Sequence, residues 1–423
     1  MNMFSIVTDK EEKKIDDTKK EKLSSEESKE RDEVKAFMAD EYENHPIRGM
    51  EQTKRAYFKA FVDGYHYMQI STEQPNKLSK IPPEPMERYR SKVNNIRRNQ
   101  LISVSKVMKD EPVLRAVPTG TSINDIKTAR IANYIFDNAY SQNEIDLTNK
   151  NYDALKIGNT FGTAWYKIKW NPLIAKGQGD YEISVHDDFE IYPDPSATSW
   201  FNMEWCMHAY LQDIHKLERI FPKMKGKIKE WKNNQDEQNR NLYTMDHYYS
   251  NTKAYQGKAF VLEFHSRAGG RYKKGKKAVL INFQDFAMYG DHPFAEFGYF
   301  FSMPIIPLKW DTVPGRMHGR GAVEDQIPPQ KEINKILSLT MENIRRTAAF
   351  KIGLPRGSAK IQDVVGDKVQ GFYYSPDQGG KPQALEVPSM PSYVSSHLSY
   401  LTGTMQDMAG IHEVSMGQLP ERG

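Results

Sequence analysis

QIPPQKEINKILSLTMENIRRTAAF (residues 326–350) and SYVSSHLSYLTGTMQDMAGI (residues 392–411) decide how this chain is organised. In the first, Ile333, Ile336, Leu337, Met341, Ile344 and Ala348 recur at spacings of three and four, which lines one face of an α-helix. In the second, Val394, Leu398, Leu401, Met405, Met408 and Ile411 repeat the pattern. Between them, residues 351–391 are too broken by Gly and Pro for a helix and too patterned for a linker. Two long helices with a small module at their far end make a rod. A rod needs neighbours to cover its apolar stripe, which predicts a ring-forming subunit rather than a self-contained enzyme.

Outward from the rod, 423 residues suffice for two or three domains. A hydrophobic content of 38% and a mean hydropathy of −0.72 are low for one compact body and favour an elongated or oligomeric protein. The single cysteine, Cys206, excludes an internal disulfide framework and a cysteine-based zinc site, and fits a reducing compartment. No apolar run approaches the roughly 18 residues that cross a bilayer. The start MNMFSIV runs directly into charge and is no signal peptide. A net charge of +4 argues against a tight, non-specific nucleic-acid binder but permits local basic patches.

Residues 8–35 are a dense mixed-charge run that reads as a solvated, partly helical arm. Helix is expected from Val34 to Ile70, broken near Pro46 and Gly64, with Phe58, Phe61, Tyr65 and Met68 packing. A further helix is expected from Met86 to about Met108. Ser122 or Asn124 caps the next, with Ile126, Ile131, Ile135, Phe136 and Tyr140 inward. Its continuation ends near Lys156, with Gly158 as the stop. In residues 162–172, Trp165, Ile168 and Trp170 alternate roughly with Lys167 and Lys169, a strand pattern. Strands are also expected at 181–186, 190–192 and 205–211, then a charged helix from Ile214 to about Asn234, then a hairpin of 259–265 and 277–283. Residues 41–318 are therefore α+β, helices first and a mostly antiparallel sheet afterwards.

Few motifs carry chemistry. The loop GRYKKGKK (270–277) approaches a phosphate-binding loop, but Lys277 stands where Ser or Thr would hold magnesium. Its strand–loop–strand setting also lacks the helix N-terminus that grips phosphate. It reads as a basic hairpin tip (Arg271, Lys273, Lys274, Lys276, Lys277), with contact to nucleic acid or an acidic partner as the functional alternative. VHDDFEIYPDPSA (185–197) gathers His186, Asp187, Asp188, Glu190 and Asp194, of which Asp187, Asp188 and Asp194 are weak candidates for a hard cation. Strand alternation would separate Asp187 from Asp188, so two strands joined by a turn is the simpler reading. The Glu230-Trp231-Lys232 triplet sits in the charged helix, away from that cluster. Cys206 and His208 share a strand face, a core pattern rather than a nucleophile. No G-x-S-x-G or H-E-x-x-H is present.

The segments TARIANYIFDNA, LKIGNTFGTAWYKIKWNP, DFEIYPDPSATSW, GRGAVEDQIPPQKEINKILSLTMENIRR and AGIHEVSMGQLPERG, in that order, resemble a tailed-bacteriophage portal protein of the short-tailed type. They sample the chain from about Asp125 onward; the first hundred residues match less clearly. The resemblance implies an α+β portal fold with an α/β wing, a two-helix stem and a small α/β clip, assembled as a dodecameric ring at one capsid vertex. Mapped onto this chain, it implies a charged arm over 1–40, wing over 41–318, first stem helix over 319–350 and clip over 351–391. The second stem helix would take 392–411, and 412–423 would begin the tunnel-loop region. Family members continue beyond that point into another wing helix and a crown.

The resemblance implies a non-enzymatic homo-oligomer without cofactor, resident in the virion and assembled in the host cytoplasm. Its partners would be double-stranded viral DNA, terminase, tail adaptor, capsid and scaffolding proteins, with no membrane. Channel-lining or docking candidates are Lys331, Lys335, Arg345, Arg346, Lys351, Arg356, Lys360 and Lys368. Duplex must pass without being gripped, since every neutralised phosphate adds affinity, and near-neutral charge with mixed-sign stem residues fits a weakly interacting wall. The clip strands are expected to pair with a neighbouring subunit, because so small a sheet is marginal alone. The rival from another class is a metal-dependent nucleic-acid-processing enzyme built on Asp187, Asp188, Asp194 and the Arg271–Lys277 hairpin.

Overall fold

The computed structural model describes residues 25–47, 50–73, 78–83, 89–109, 114–140, 145–171, 179–231, 257–299, 302–348, 351–357, 370–374, 381, 383–384 and 390–411. Helices α1 (Ser25–Glu43) and α2 (Met50–Val62) lead into an antiparallel pair, β1 (Met68–Ile70) and β2 (Leu78–Lys80). Then come α3 (Asn95–Met108), α4 (Ile123–Tyr140) and α5 (Leu147–Phe161). Strands β3 (Thr163–Asn171) and β4 (Asp180–His186) join β10 (Ile305–Lys309) in a three-stranded sheet, order β10-β3-β4. Strands β5 (Ile191–Pro193), β6 (Trp205–Asp213), β7 (Lys258–Ser266), β8 (Lys276–Ile281) and β9 (Asp285–Asp291) form a five-stranded antiparallel sheet in sequence order. A short helix α6 (Ile214–Ile220) follows β6, and the long α7 (Ala322–Ala348) follows β10. A small sheet comes next: β11 (Lys351–Pro355) is central, parallel to β12 (Gln370–Tyr374) and antiparallel to β13 (Gln383–Ala384). Helix α8 (Tyr393–Met408) then returns against α7. Among the described residues, no helix is long and apolar enough to cross a membrane.

Period-two alternation divides the five-stranded sheet's faces. Met207, Ala209, Phe260, Leu262, Phe264, Ala278 and Leu280 pack on Val34, Met38 and Tyr42 of α1. The opposite face meets Trp165, Met303 and Ile305 of the smaller sheet's layer through Cys206 and Ile191, and α6 through Val261, Val279 and Ile281. The charged arm is therefore partly a core element. Residues 8–24 lie outside the described residues, but α1 buries an apolar stripe against the sheet, and Glu30 and Arg31 engage Lys276 and the Phe286 ring.

Four local expectations fail for physical reasons. The helix drawn onward from Ile214 ends at Ile220, because Pro222 follows and Gly226 takes φ +73°. Helix α5 runs through Gly158 and ends at Gly162, whose φ of +97° only glycine tolerates easily. A Cβ at Gly162 would also lie 2.2 Å from the Gly319 carbonyl oxygen, so the chain entering α7 presses directly on the end of α5. Helix α4 is capped by Ser122, whose Oγ accepts from Asp125 N, yet it buries Ala129 and Ala139 while Ile126, Ile131 and Ile135 stay exposed. Periodicity names a face that wants cover; it does not supply the cover. In β3, Ile168 and Trp170 are exposed and Lys167 is buried.

A fifth failure reveals how the rod is held. Residues 89–94, expected to be helical, form neither helix nor strand, and α3 begins only after Asn94, whose side chain accepts from Arg97 N. Helix α7 carries Gln326, Gln330, Asn334 and Ser338 at spacings of four, all buried. Gln330 Oε1 accepts from Asn95 N (3.0 Å) and its Nε2 donates to Val93 O (2.8 Å). Asn334 Oδ1 accepts from Val93 N (3.3 Å), and Ser338 Oγ accepts from Ser91 N (3.0 Å). Four helical residues rise about 6 Å, and the backbone amides of residues 91, 93 and 95 meet every fourth side chain of the helix over that spacing. Above the ladder, Asn99 Nδ2 of α3 donates to Gln326 Oε1 and to Met405 O of α8.

Apolar contacts complete the joint. Phe58 and Phe61 of α2 and Ile96 of α3 pack with Val323, Ile327 and Ile333 of α7 and Leu401 and Met405 of α8. The near half of the rod is thus covered by its own chain. In the far half, Leu339, Met341 and Ile344 of α7 and Tyr393 and Tyr400 of α8 are exposed, as is Met408. Gln330→Ala should strand Asn95 N and Val93 O without partners and lower stability by about 3 kcal/mol, since buried unsatisfied groups carry their full desolvation penalty. Urea unfolding at fixed protein concentration measures this; a loss below about 1 kcal/mol would show that water replaces the amide.

Candidate functional site

The acidic cluster dissolves into separate structural tasks. Asp187 and Asp188 lie in the turn between β4 and β5, not on a strand. Asp187 Oδ1 accepts from Phe189 N (2.9 Å); burial, then the charge of Glu190, pushes its carboxyl up to about 7. Asp188 is fully buried and receives Arg55 Nη2 of α2 (3.3 Å), His318 Nδ1 (3.3 Å) and Trp165 Nε1 of β3. Burial opposes its charge, but Arg55 and His318 outweigh that and hold its carboxyl below the usual range. Asp194 Oδ1 accepts from Ser196 N and Oγ, and its Oδ2 from Glu204 N. The three carboxylates do not converge on one point as a hard-cation site would require. Glu230 accepts from Gly257 N, and Lys232 lies outside the described residues.

What does converge is a polar chain that sequence reading missed. Ser184 Oγ meets His186 Nε2 (2.7 Å), and His186 Nδ1 and His208 Nε2 both donate to Glu190 Oε2 (2.7 and 3.3 Å). Lys167 Nζ donates to His208 Nδ1 (2.9 Å) and to Glu263 Oε2 (2.5 Å). His265 Nε2 donates to Glu263 Oε1 (2.9 Å), His292 Nε2 meets His265 Nδ1 (3.3 Å), and Phe294 N donates to His292 Nδ1 (3.3 Å). Each partner fixes the tautomer of the next ring, so His208, His265 and His292 fit as neutral imidazoles. Burial resists ionisation of Glu263, yet the Lys167 charge outweighs it and holds the carboxyl well below 4.5. The chain links β3 and β4 of one sheet to β6 and β7 of the other, and the clue was Lys167, Glu263 and His265 on otherwise apolar strands.

Cys206 shares the His208 face of β6, as the strand pattern predicts, and is buried beside Trp165, Met203 and Ile305. Burial pushes its thiol far above the ordinary value, which leaves it unreactive.

The basic loop lies between β7 and β8, strand–loop–strand as read from the sequence. Much of its charge is answered from within the chain. Lys276 pairs with Glu30 of α1 (3.0 Å) and Asp291 (3.2 Å), Lys274 approaches Asp291 (3.8 Å) and Lys277 approaches Glu263 (3.8 Å). Arg271 lies over the Phe37 ring (4.9 Å), and Lys273 is exposed. On α7, Lys331 sits over the Tyr57 ring (5.3 Å), Lys335 is exposed, and Arg345 Nη1 donates to Tyr89 Oη (3.2 Å). Arg356 is exposed at the end of β11, where its backbone N donates to Tyr374 O (2.9 Å). The side chains of Arg346 and Lys351, and residues Lys360 and Lys368 entirely, lie outside the described residues.

Two outcomes test this wiring. Asp188→Ala leaves the Arg55 guanidinium buried without its carboxylate and should cost about 3–5 kcal/mol, read by chemical denaturation. Burial lowers His265 to about 4 and His292 to about 3 from 6.5, so the unfolded chain binds more protons. Their contribution to stability is therefore full above pH 6.5 and is lost as pH falls from 6.5 toward 4 for His265 and toward 3 for His292. His265→Gln keeps a donor toward Glu263 and should flatten that decline between pH 6.5 and 4; an unchanged slope in urea titrations would remove His265 from the account.

A search of curated proteins finds no match to the chain. A family model described as phage P22-like portal protein, however, matches residues 51–422, which takes in α2 through α8. With helices first, antiparallel sheets next, and a two-helix rod carrying a small sheet, the chain belongs to the phage P22-like portal protein family.

Proposed function

We propose that this chain is the repeating subunit of a dodecameric portal ring at a unique capsid vertex, through which viral DNA is packaged and ejected. The observation that carries the ring is the uncovered far half of the rod, where Leu339, Met341, Ile344, Tyr393 and Tyr400 find no cover comparable to that of the near half. Helix α4 adds Ile123, Ile131, Tyr134 and Ile135 on its exposed surface. Copies arranged around an axis would bury both, and closed point-group symmetry is the usual solution for a soluble homo-oligomer.

In this reading residues 41–318 are wing, α7 and α8 are the stem, and residues 351–391 are the clip on which terminase and then the tail adaptor dock. Strands β12 and β13 are the edges of the clip sheet, open to pairing with a neighbouring copy. Lys335, Arg356 and the basic residues around the clip would meet DNA or a docking partner, while Lys331 and Arg345 already rest on aromatic rings of their own chain. Packaging energy would come from the terminase, the portal acting as conduit and platform in the virion. The nuclease rival has no observation in its favour, since its three aspartates serve separate structural partners.

Negative-stain imaging and mass photometry of the purified chain test the assignment. The expected result is a ring with a central opening near the twelve-copy mass. Leu339→Asp with Ile344→Asp should shift the population to monomers and small oligomers while far-UV circular dichroism is kept. A wild-type population of well-folded monomers with no ring at any concentration would overturn it.

A further inference from the structure

Where β4 turns toward β5, two imidazoles and a carboxylate meet around one small space. His186 Nδ1, Glu190 Oε2 and His208 Nε2 lie within 4.8 Å of one another, and the two rings stand edge to face with centroids 4.2 Å apart. Both ring nitrogens aim at the same carboxylate oxygen, Glu190 Oε2, while Oε1 of that group takes no hydrogen bond among the described residues. His208 is buried, whereas the side chains of His186 and Glu190 are 16% and 27% exposed, so the space opens to solvent on one side.

We infer that His186, Glu190 and His208 form a binding site for a divalent metal of the zinc class, with a fourth position open to water on the exposed side. Imidazole and carboxylate are the ligands such an ion takes, and three protein ligands plus one open position is a regular zinc arrangement. Tetrahedral bonds of about 2.0–2.1 Å place ligand atoms about 3.3 Å apart. His208 Nε2 and Glu190 Oε2 already stand 3.3 Å apart, and the His186 contact opens from 2.7 Å. Outer contacts orient both rings: Ser184 Oγ sits on His186 Nε2 and Lys167 Nζ on His208 Nδ1. The proton balance is explicit. Coordination at His208 Nε2 releases that nitrogen's proton to solvent, and the ring stays neutral by taking at Nδ1 the proton that Lys167 donates there; His186 moves its proton from Nδ1 to Nε2, where Ser184 Oγ accepts the hydrogen bond. Lys167, then an amine, keeps its place through its hydrogen bond to Glu263, 2.5 Å away.

The site's consequence is mechanical, and it is independent of the portal reading. His186 ends β4 of the three-stranded sheet and His208 lies on β6 of the five-stranded sheet, so one ion would staple the two layers. The test dialyses the purified chain against zinc, then against metal-free buffer, and measures retained zinc by elemental analysis. One zinc per chain is expected, with a higher melting temperature than the metal-free protein. Glu190→Gln and His186→Ala should each weaken zinc binding at least about tenfold and abolish the thermal gain. Cobalt(II) loaded into the wild type should give the visible bands of a four- or five-coordinate site, a readout that needs no variant to fold. No retained zinc, equal retention by both variants, or the pale spectrum of six-coordinate cobalt would each overturn the inference.

Discussion

The polar ladder between α7 and residues 91–95 is the constraint on which the rest of the molecule depends. A long helix leaving a globular body is normally held by apolar contact alone, which permits sliding and rotation. Here Gln330, Asn334 and Ser338 each bond a specific backbone group of Ser91, Val93 or Asn95. Slipping the helix by a single residue would strand every one of these buried groups at once, each at a cost of about 1–3 kcal/mol. The ladder therefore fixes register, and the apolar cluster of Phe61, Ile96, Ile333 and Leu401 adds the bulk of the attraction without having to specify position.

A second anchor sets the entry into α7. Asp188 gathers Arg55 from α2, Trp165 from β3 and His318 from the segment just before Gly319, so helix, sheet and rod meet at one buried carboxylate. Immediately beyond it, Gly162 and Gly319 let two backbones approach too closely for any side chain. Such a joint locks helix, sheet and rod together at one point. The charged chain through Lys167 and Glu263 does the same between the two sheets. Buried charge of this kind is poor at adding net stability but is unforgiving of misplacement.

The division of apolar surface along the rod gives the ring its physical reason. The near half, at Ile333 and Leu401, is closed by the chain's own helices, while the far half, at Ile344 and Tyr400, is not. A monomer would keep those side chains in water. Small residues on α8, among them Ser395, Ser399 and Gly403, allow another helix to come close. The surface that leaves one copy incomplete is the surface that the proposed ring would cover.

The sequence by itself determined the helices of the rod, most strands of the two large sheets (all but β9 and β10) and the family, because hydrophobic period and segment order are local properties. Strands β6, β7 and β8 and both rod helices fall where their periodicity places them. Only the tertiary structure decided that residues 89–94 are not helical, that Lys167 is buried while Ile168 is exposed, and that Asp188 serves Arg55 rather than a metal. The reason is the same in each case. A polar side chain's role is set by the partner it finds, and Gln330 and Val93, or Lys167 and Glu263, are far apart in the chain. Their spacing was visible; the neighbours that gave it meaning were not.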